Sequence, residues 1–167
     1  DNEDFYLSTA RLDRLKRVSL IVNAFTKMPD KKLVVVSSGP ERKNIENLAK
    51  DHENIEVRGW VSESEYIDLL SRCIATIYIP VNEDSGISPV ESMASGKPCI
   101  VSNEGGVVET IIDKETGLHI KAKEENIIKA VNWLSADKAR KMRNTCIRIA
   151  KKFSEENFIR EIKMQIK

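Results

Sequence analysis

The chain has 167 residues, 41% of them hydrophobic, and its 27 lysines and arginines against 26 acids leave a net charge of +1. That is the size and apolar content of one domain with a real core. Charges are well mixed and aromatics make up only 5%, which argues against nucleic acid, or any general polyanion, as a partner.

Cys73, Cys99 and Cys146 are far apart and form no C-x-x-C pair. They point away from a disulfide framework or a zinc site and fit a reducing cytoplasm. His52 and His119 stand alone and read as surface or turn residues. No run of about 18 apolar residues and no signal sequence occurs, so this stretch is not expected to span a membrane. The opening DNEDFYLSTA lacks a starting Met and reads like a strand entered from upstream. The sequence is therefore read as a piece of a longer protein.

Phe5 to Thr9 form the first predicted strand, and Val18, Ile21, Val22 and Phe25 recur at helical spacing after it. The turn between them, ARLDRLKR, is rich in cations. Arg11 and Lys16 could belong to an ordinary solvated patch with Arg14 and Arg17. Alternatively they could bind phosphate, Arg11 through paired hydrogen bonds and Lys16 as a point charge. Leu33 to Val36 form a continuous branched run, as in a parallel strand covered on both faces. SSGPERKNIENLA then turns into a helix with Ile45, Leu48 and Ala49 on one side. A G-x-G-x-x-G fingerprint is absent, so no NAD site is expected.

Ile55 to Trp60 predict a short third strand with Gly59 at its turn, Glu65 to Ser71 a helix, and Ile74 to Ile79 a strand in which Tyr78 reads as packing. The stretch NEDSGISPVESMASGKPCIVS follows. Ser88 is a good N-cap, Pro89 suits a first helical position and Glu91 stands three residues after the Ser, so a capping box is expected there, with Gly96 as the stop. Gly86, Ile87 and Ser88 would then offer free N–H groups at the positive end of a helix, which suits a phosphate. The acids Glu83 and Glu91 fit beside such a site if they accept hydrogen bonds from hydroxyls. On the plainer reading, Glu91 completes the capping box and Glu83 is a solvated loop acid.

Cys99 to Ser102 form another strand, and NEGGVVETIIDKETGLHI follows. Gly105 and Gly106 permit either a sharp turn or a close approach to a ligand. Ile127, Ile128, Val131 and Leu134 form an apolar helical face. The segment through Phe153 is basic, which reads as a solvated face or as one able to approach anionic lipids. Phe158, Ile159, Ile162 and Ile166 make a last apolar stripe. Strand and helix alternate throughout, which predicts one α/β domain built on a doubly wound parallel sheet, Rossmann-like, over residues 1–167.

Glu83, Gly86, Glu91, Met93, Ala94, Gly96 and Pro98 resemble the E-x-x-G-x-x-x-x-E-x-M-A-x-G-x-P signature of the retaining glycosyltransferases of family 4, which have the two-domain GT-B fold. Arg11, Leu12 and Lys16 similarly match a G-R-L-x-x-x-K-G turn. Ala10 and Arg17 replace its two glycines, and Ser37 replaces the first Gly of a G-x-G-P turn.

The resemblance implies the C-terminal, donor-binding half of a GT-B enzyme, with its N-terminal acceptor domain lying outside this sequence. It also implies transfer of a hexose, with retention, from a nucleotide-diphosphate sugar such as GDP-mannose or a UDP-sugar to a glycan or lipid-linked acceptor. By carry-over, Arg11 and Lys16 hold the diphosphate with help from the amides of Ile87 and Ser88. Glu91 takes ribose hydroxyls, Glu83 meets the donor sugar, Gly86 lies near it and Gly59 borders the base. No metal or cofactor is implied. Cytoplasmic location with peripheral membrane contact follows from the acceptor class. Two other readings stay open: a non-catalytic nucleotide-sugar-binding module, and a nucleotide-sugar epimerase of similar fold, which would need acids and a His that the sequence does not place.

Overall fold

The computed structural model describes residues 4–166. Asp1–Glu3 and Lys167, the ends of the expected 1–167 domain, lie outside the described residues. Among the described residues six strands form one sheet: β1 (Phe5–Ser8), β2 (Lys32–Val36), β3 (Ile55–Gly59), β4 (Ala75–Tyr78), β5 (Cys99–Ser102) and β6 (Gly117–Ile120). Every pairing is parallel, and the spatial order is β3-β2-β1-β4-β5-β6. The connections carry α1 (Val18–Thr26), α2 (Arg42–Ala49), α3 (Glu63–Arg72), α4 (Ile87–Ala94) and the short α5 (Val107–Thr110). After β6 come α6 (Glu124–Trp133), α7 (Ala136–Ala150) and α8 (Glu155–Gln165). This is the doubly wound sheet that the alternation predicts.

Both faces of the central strands are covered, which is why their sequences are branched without polar alternation. Phe5, Leu7, Val34 and Val36 pack on one side with Leu69 and Leu70 of α3. Tyr6, Leu33 and Val35 pack on the other with Ile21, Val22 and Phe25 of α1. The Tyr6 hydroxyl donates to the carbonyls of Val131 (2.9 Å) and Leu134 (2.8 Å), tying the middle of the sheet to the end of α6. Gly39 brings the loop after β2 against the loop after β1, where a Cβ would stand 2.3 Å from the Leu12 carbonyl oxygen.

The edge strand β6 is an element that the periodicity did not mark. Its four residues, GLHI, are held by pairing with β5 rather than by an apolar run of their own. The apolar stripe at the end of the chain lies on α8 and its cap. None of α8 is buried, and Phe158 is 64% exposed. Among the described residues no helix is long and apolar enough to cross a membrane.

All three thiols are free and buried. Burial pushes each of them up to about 12. In the unfolded chain they ionise near 9, so the unfolded state loses protons first. Stability present below pH 9 is therefore lost as the pH rises toward 12. Urea unfolding is expected to show a free energy that falls above pH 9, approaching about 4 kcal/mol per pH unit once all three unfolded thiols ionise. Cys99→Ala should remove about a third of that slope, and the buried Tyr6 phenol, also raised to about 12, adds to the loss above pH 10.

Candidate functional site

The strand order reverses between β1 and β4, and the loops leaving those two strands part there to open a crevice at their carboxyl ends. A 3-10 turn at Arg14–Lys16 follows β1, its start capped by the Asp13 carboxylate, which accepts from the Lys16 amide at 3.1 Å. The Lys16 ammonium then reaches across the crevice to hydrogen-bond the Glu83 carboxylate from the loop after β4. It also lies 3.3 Å from the Tyr78 hydroxyl and 5.6 Å from the centre of that ring. Lys16 and Glu83 are 21% and 23% exposed.

Burial is the largest single influence on the Lys16 ammonium and pulls its pKa down. The hydrogen bonds and charges of Glu83 and Tyr78 together outweigh it and hold the group above its ordinary value. Burial likewise raises the Tyr78 phenol, partly offset by Lys16. At neutral pH Lys16 is therefore an ammonium and Tyr78 a neutral phenol.

A third loop braces this contact. Gly105 and Gly106, after β5, lie against the backbone of the acidic loop, and the Gly106 amide donates to the Glu83 carbonyl at 2.7 Å. A Cβ at Gly105 would stand 2.5 Å from the Glu83 carbonyl oxygen, and one at Gly106 only 1.9 Å from that of Asp84. The glycine pair thus positions Glu83. Beside it, Arg17 pairs with Glu104 at 2.5 Å. Arg17 sits at φ 53, in the left-handed region that favours glycine, so it is no member of a loose basic patch. Arg11 is different: its side chain is 72% exposed and its ion-pair partner is Asp13, at 4.0 Å. The structure does not bring it into contact with Lys16 or Glu83.

The expected capping box does not form. Gly86 is the N-cap of α4, Ile87 is its first residue, and the cap makes no side-chain hydrogen bond. The helix thus starts two residues before the expected cap, and Gly86 packs on the Tyr78 ring, where a Cβ would lie 2.7 Å from Cε1. The Tyr78 ring alone therefore calls for glycine at position 86. The amides of Ile87 and Ser88 still precede the first intrahelical bond, and Gly96 adopts the left-handed conformation of a helix stop at φ 73. Glu91, freed from capping, accepts a hydrogen bond from the Tyr66 hydroxyl at 2.7 Å. Burial, then Glu91, raise the Tyr66 phenol well above its ordinary value, so it stays a donor.

Glu91 and Ser88 line a cavity of about 400 Å³ that runs past Thr9, Val36 and Ser37 to Trp60, Val61, Ser62, Glu63 and Tyr66. Gly59 does not line it. Its carbonyl accepts from the Ser37 amide at 2.6 Å, closing the turn that presents Trp60 and Val61. Ser37 itself has φ 103, the backbone a glycine would take more easily. Neither His52 nor His119 lines the cavity, and His119 is bound to the Ile111 carbonyl at 2.8 Å. Among the described residues no group of three or more His, Cys, Asp or Glu could hold a metal ion. Trp60, Glu63, Tyr66 and Glu104 also stand at the crevice and the sequence did not single them out, while Tyr78, read as packing, meets Lys16 there as well.

A doubly wound sheet with a cation and an apolar cavity side by side at its reversal point has the layout in which such sheets bind ligands. The family model for glycosyl transferases group 1 matches residues 1–153, and the chain belongs to that family. It is 28% identical to the alpha-1,3/1,6-mannosyltransferase ALG2 of Dictyostelium discoideum, covering all of this chain and 46% of that protein. It is 27% identical to the ALG2 of Saccharomyces cerevisiae, covering 93% of this chain and 41% of that protein. The chain thus spans less than half the length of these curated relatives.

Among solved structures, Anabaena HepE in complex with UDP and glucose superposes with a TM-score of 0.85 over 98% of this chain and 48% of its own, at 17% identity. The sucrose-phosphate synthase of Thermosynechococcus elongatus also reaches 0.85, over 98% of this chain and 45% of its own, at 23% identity. At such identities the likeness is one of fold.

Gly106→Ala tests the brace. Its φ of −72 suits alanine, so the cost comes from pushing the acidic loop away. Urea unfolding should show a loss of about 1–3 kcal/mol.

Proposed function

We propose that this chain is the donor-binding part of a retaining hexosyltransferase, which takes a nucleotide-diphosphate sugar and passes the hexose to a glycan or lipid-linked acceptor. The observation that carries the reading is the juxtaposition at the β1/β4 reversal: a half-buried ammonium on one side of the start of α4 and a nucleoside-sized cavity on the other. Glu91 faces that cavity and is not spent on capping the helix. A carboxylate at the cavity wall can accept from ribose hydroxyls, and the free amides of Ile87 and Ser88 suit the diphosphate between the two halves.

Lys16 supplies the positive charge that the leaving nucleotide diphosphate needs as the bond between the sugar and its phosphate breaks. The reading requires no metal at that step. Arg11, exposed and able to swing, would join Lys16 on the phosphates. Glu83, beside Lys16, is placed to accept from a hydroxyl of the donor sugar. Mannose is the sugar favoured, because the curated relatives reported above are mannosyltransferases by name. The acceptor would be read by an N-terminal domain facing this crevice, in a protein about twice this length, working in the cytoplasm with peripheral membrane contact.

Calorimetric titration of the wild type, Glu91→Ala and Lys16→Met with GDP-, UDP- and ADP-sugars, without metal, tests the assignment. Removing a charged hydrogen-bonding group typically costs about 1.5–3 kcal/mol, so each variant should bind about 10- to 150-fold more weakly. Absence of binding at millimolar ligand, or equal binding by Glu91→Ala, would defeat the reading.

A further inference from the structure

Lys16 and Arg17 are consecutive, yet their side chains reach different loops. Lys16 takes Glu83 in the loop after β4. Arg17 takes Glu104 in the loop after β5, with Nη1 2.5 Å from one carboxylate oxygen and Nη2 3.5 Å from the other. The Gly106 amide, two residues beyond Glu104, donates to the Glu83 carbonyl at 2.7 Å. These contacts close a ring that runs from Arg17 through Glu104, Gly106 and Glu83 to Lys16 and back. Its base is firm on both sides. The Arg17 carbonyl accepts from the Leu20 amide at 3.0 Å in the first turn of α1, whose Val18, Ile21 and Val22 are fully buried, and the Asn103 amide donates to the Ile120 carbonyl of β6 at 2.8 Å.

Arg17 holds this place at φ 53. The glycine of the G-R-L-x-x-x-K-G turn would take that conformation freely, whereas a side chain takes it only against steric resistance. Here the side chain supplies the second arm of the ring. The need for that arm follows from the charges. In the proposed donor complex the diphosphate draws on the Lys16 ammonium, which is the cation that Glu83 holds. Glu83 then shares its partner with a new anion, and the two anions repel. The bond from the Val81 amide to the Leu15 carbonyl ties the start of the acidic loop, and Gly106 holds that loop at Glu83 itself. The Arg17–Glu104 pair, mostly shielded from solvent, fixes the loop that carries Gly106.

We propose that Arg17 and Glu104 are positioning residues for the donor sugar: they keep Glu83 in place when the Lys16 ammonium turns from its carboxylate to the diphosphate. This rests on the reading of the crevice as a nucleotide-sugar site and adds the device that keeps its sugar contact intact.

The experiment is calorimetric titration with GDP-mannose and GDP, and with UDP-glucose and UDP. It uses the wild type, Arg17→Gly, Arg17→Lys, Glu104→Gln and the double variant Arg17→Gly/Glu104→Gln. Glycine suits φ 53 and Glu104 is a loop residue, so the fold is kept and thermal midpoints should stay within about 4 °C of the wild type. The quantity compared is the affinity for the sugar-bearing ligand divided by that for its bare diphosphate. Arg17→Gly and Glu104→Gln should each lower this ratio about 3- to 10-fold, and the double variant no further, because each change cuts the same contact. Arg17→Lys keeps the charge and one bond to Glu104, so its ratio should fall about twofold at most. A cation acting on the phosphates instead would move the ratio the other way in Arg17→Gly, since the bare diphosphate carries one more negative charge and would lose more affinity. A ratio that rises or stays unchanged in Arg17→Gly, losses that add in the double variant, or a ratio as low in Arg17→Lys as in Arg17→Gly overturns the role of the pair and leaves the donor site standing. If the wild type binds none of the four ligands, the donor site itself is wrong and this inference goes with it.

Discussion

An ammonium held between a carboxylate and a phenol, where the strand order turns back, is the contact on which this end of the molecule depends. At about a fifth exposed, the Lys16–Glu83 pair contributes on the order of 1 kcal/mol, too little to hold two diverging loops by itself. The backbone does the rest. The Val81 amide donates to the Leu15 carbonyl at 2.8 Å, and the glycine pair after β5 lies on the acidic loop from the other side. Three loops, leaving β1, β4 and β5, are thereby locked to one another, and the start of α4 is placed as their consequence.

That arrangement separates two environments. On the Lys16 side the site is charged, and on the Glu91 side it is a cavity with apolar walls and a few hydroxyls. Tyrosines mediate both: Tyr78 ties the ammonium to the helix start by packing on Gly86, and Tyr66 orients Glu91. Each phenol is raised by burial and so stays neutral, Tyr66 donating to a carboxylate and Tyr78 accepting from an ammonium.

Much of this was legible in the sequence. Branched runs such as Leu33–Val36 marked covered parallel strands, and the alternation of strand and helix predicted a doubly wound sheet. The spacing of Glu83, Gly86, Glu91 and Gly96 pointed to the loop after β4, and the structure brings Lys16 against Glu83 and turns Glu91 to the cavity. What stayed hidden depends on distance along the chain. Nothing local announces that Tyr66 meets Glu91 twenty-five positions on, or that Tyr78 receives Lys16 from sixty-two positions before. Ser88 misled too: S-x-x-E is a sound local cap, but the helix begins at Ile87 with Gly86, packed on the Tyr78 ring, as its cap. Arg11 is matched by the motif, and in the structure its exposed side chain lies 4.0 Å from Asp13. β6 was missed because a four-residue edge strand owes its existence to its neighbour and not to its own pattern.

The last helix leads somewhere else. α8 buries none of its side chains and packs against little beyond the turn before it, so opening it exposes almost no new apolar surface. Its free energy of local opening is accordingly small, whereas β1 and β4, buried along their whole length, can open only when the sheet itself comes apart. Backbone amides in α8 would exchange with solvent deuterium through local fraying, and those of the central strands only through global unfolding. The same chain thus holds a cooperative unit that ends near α7 and a segment held by little more than its own helical hydrogen bonds and the Ser154 cap.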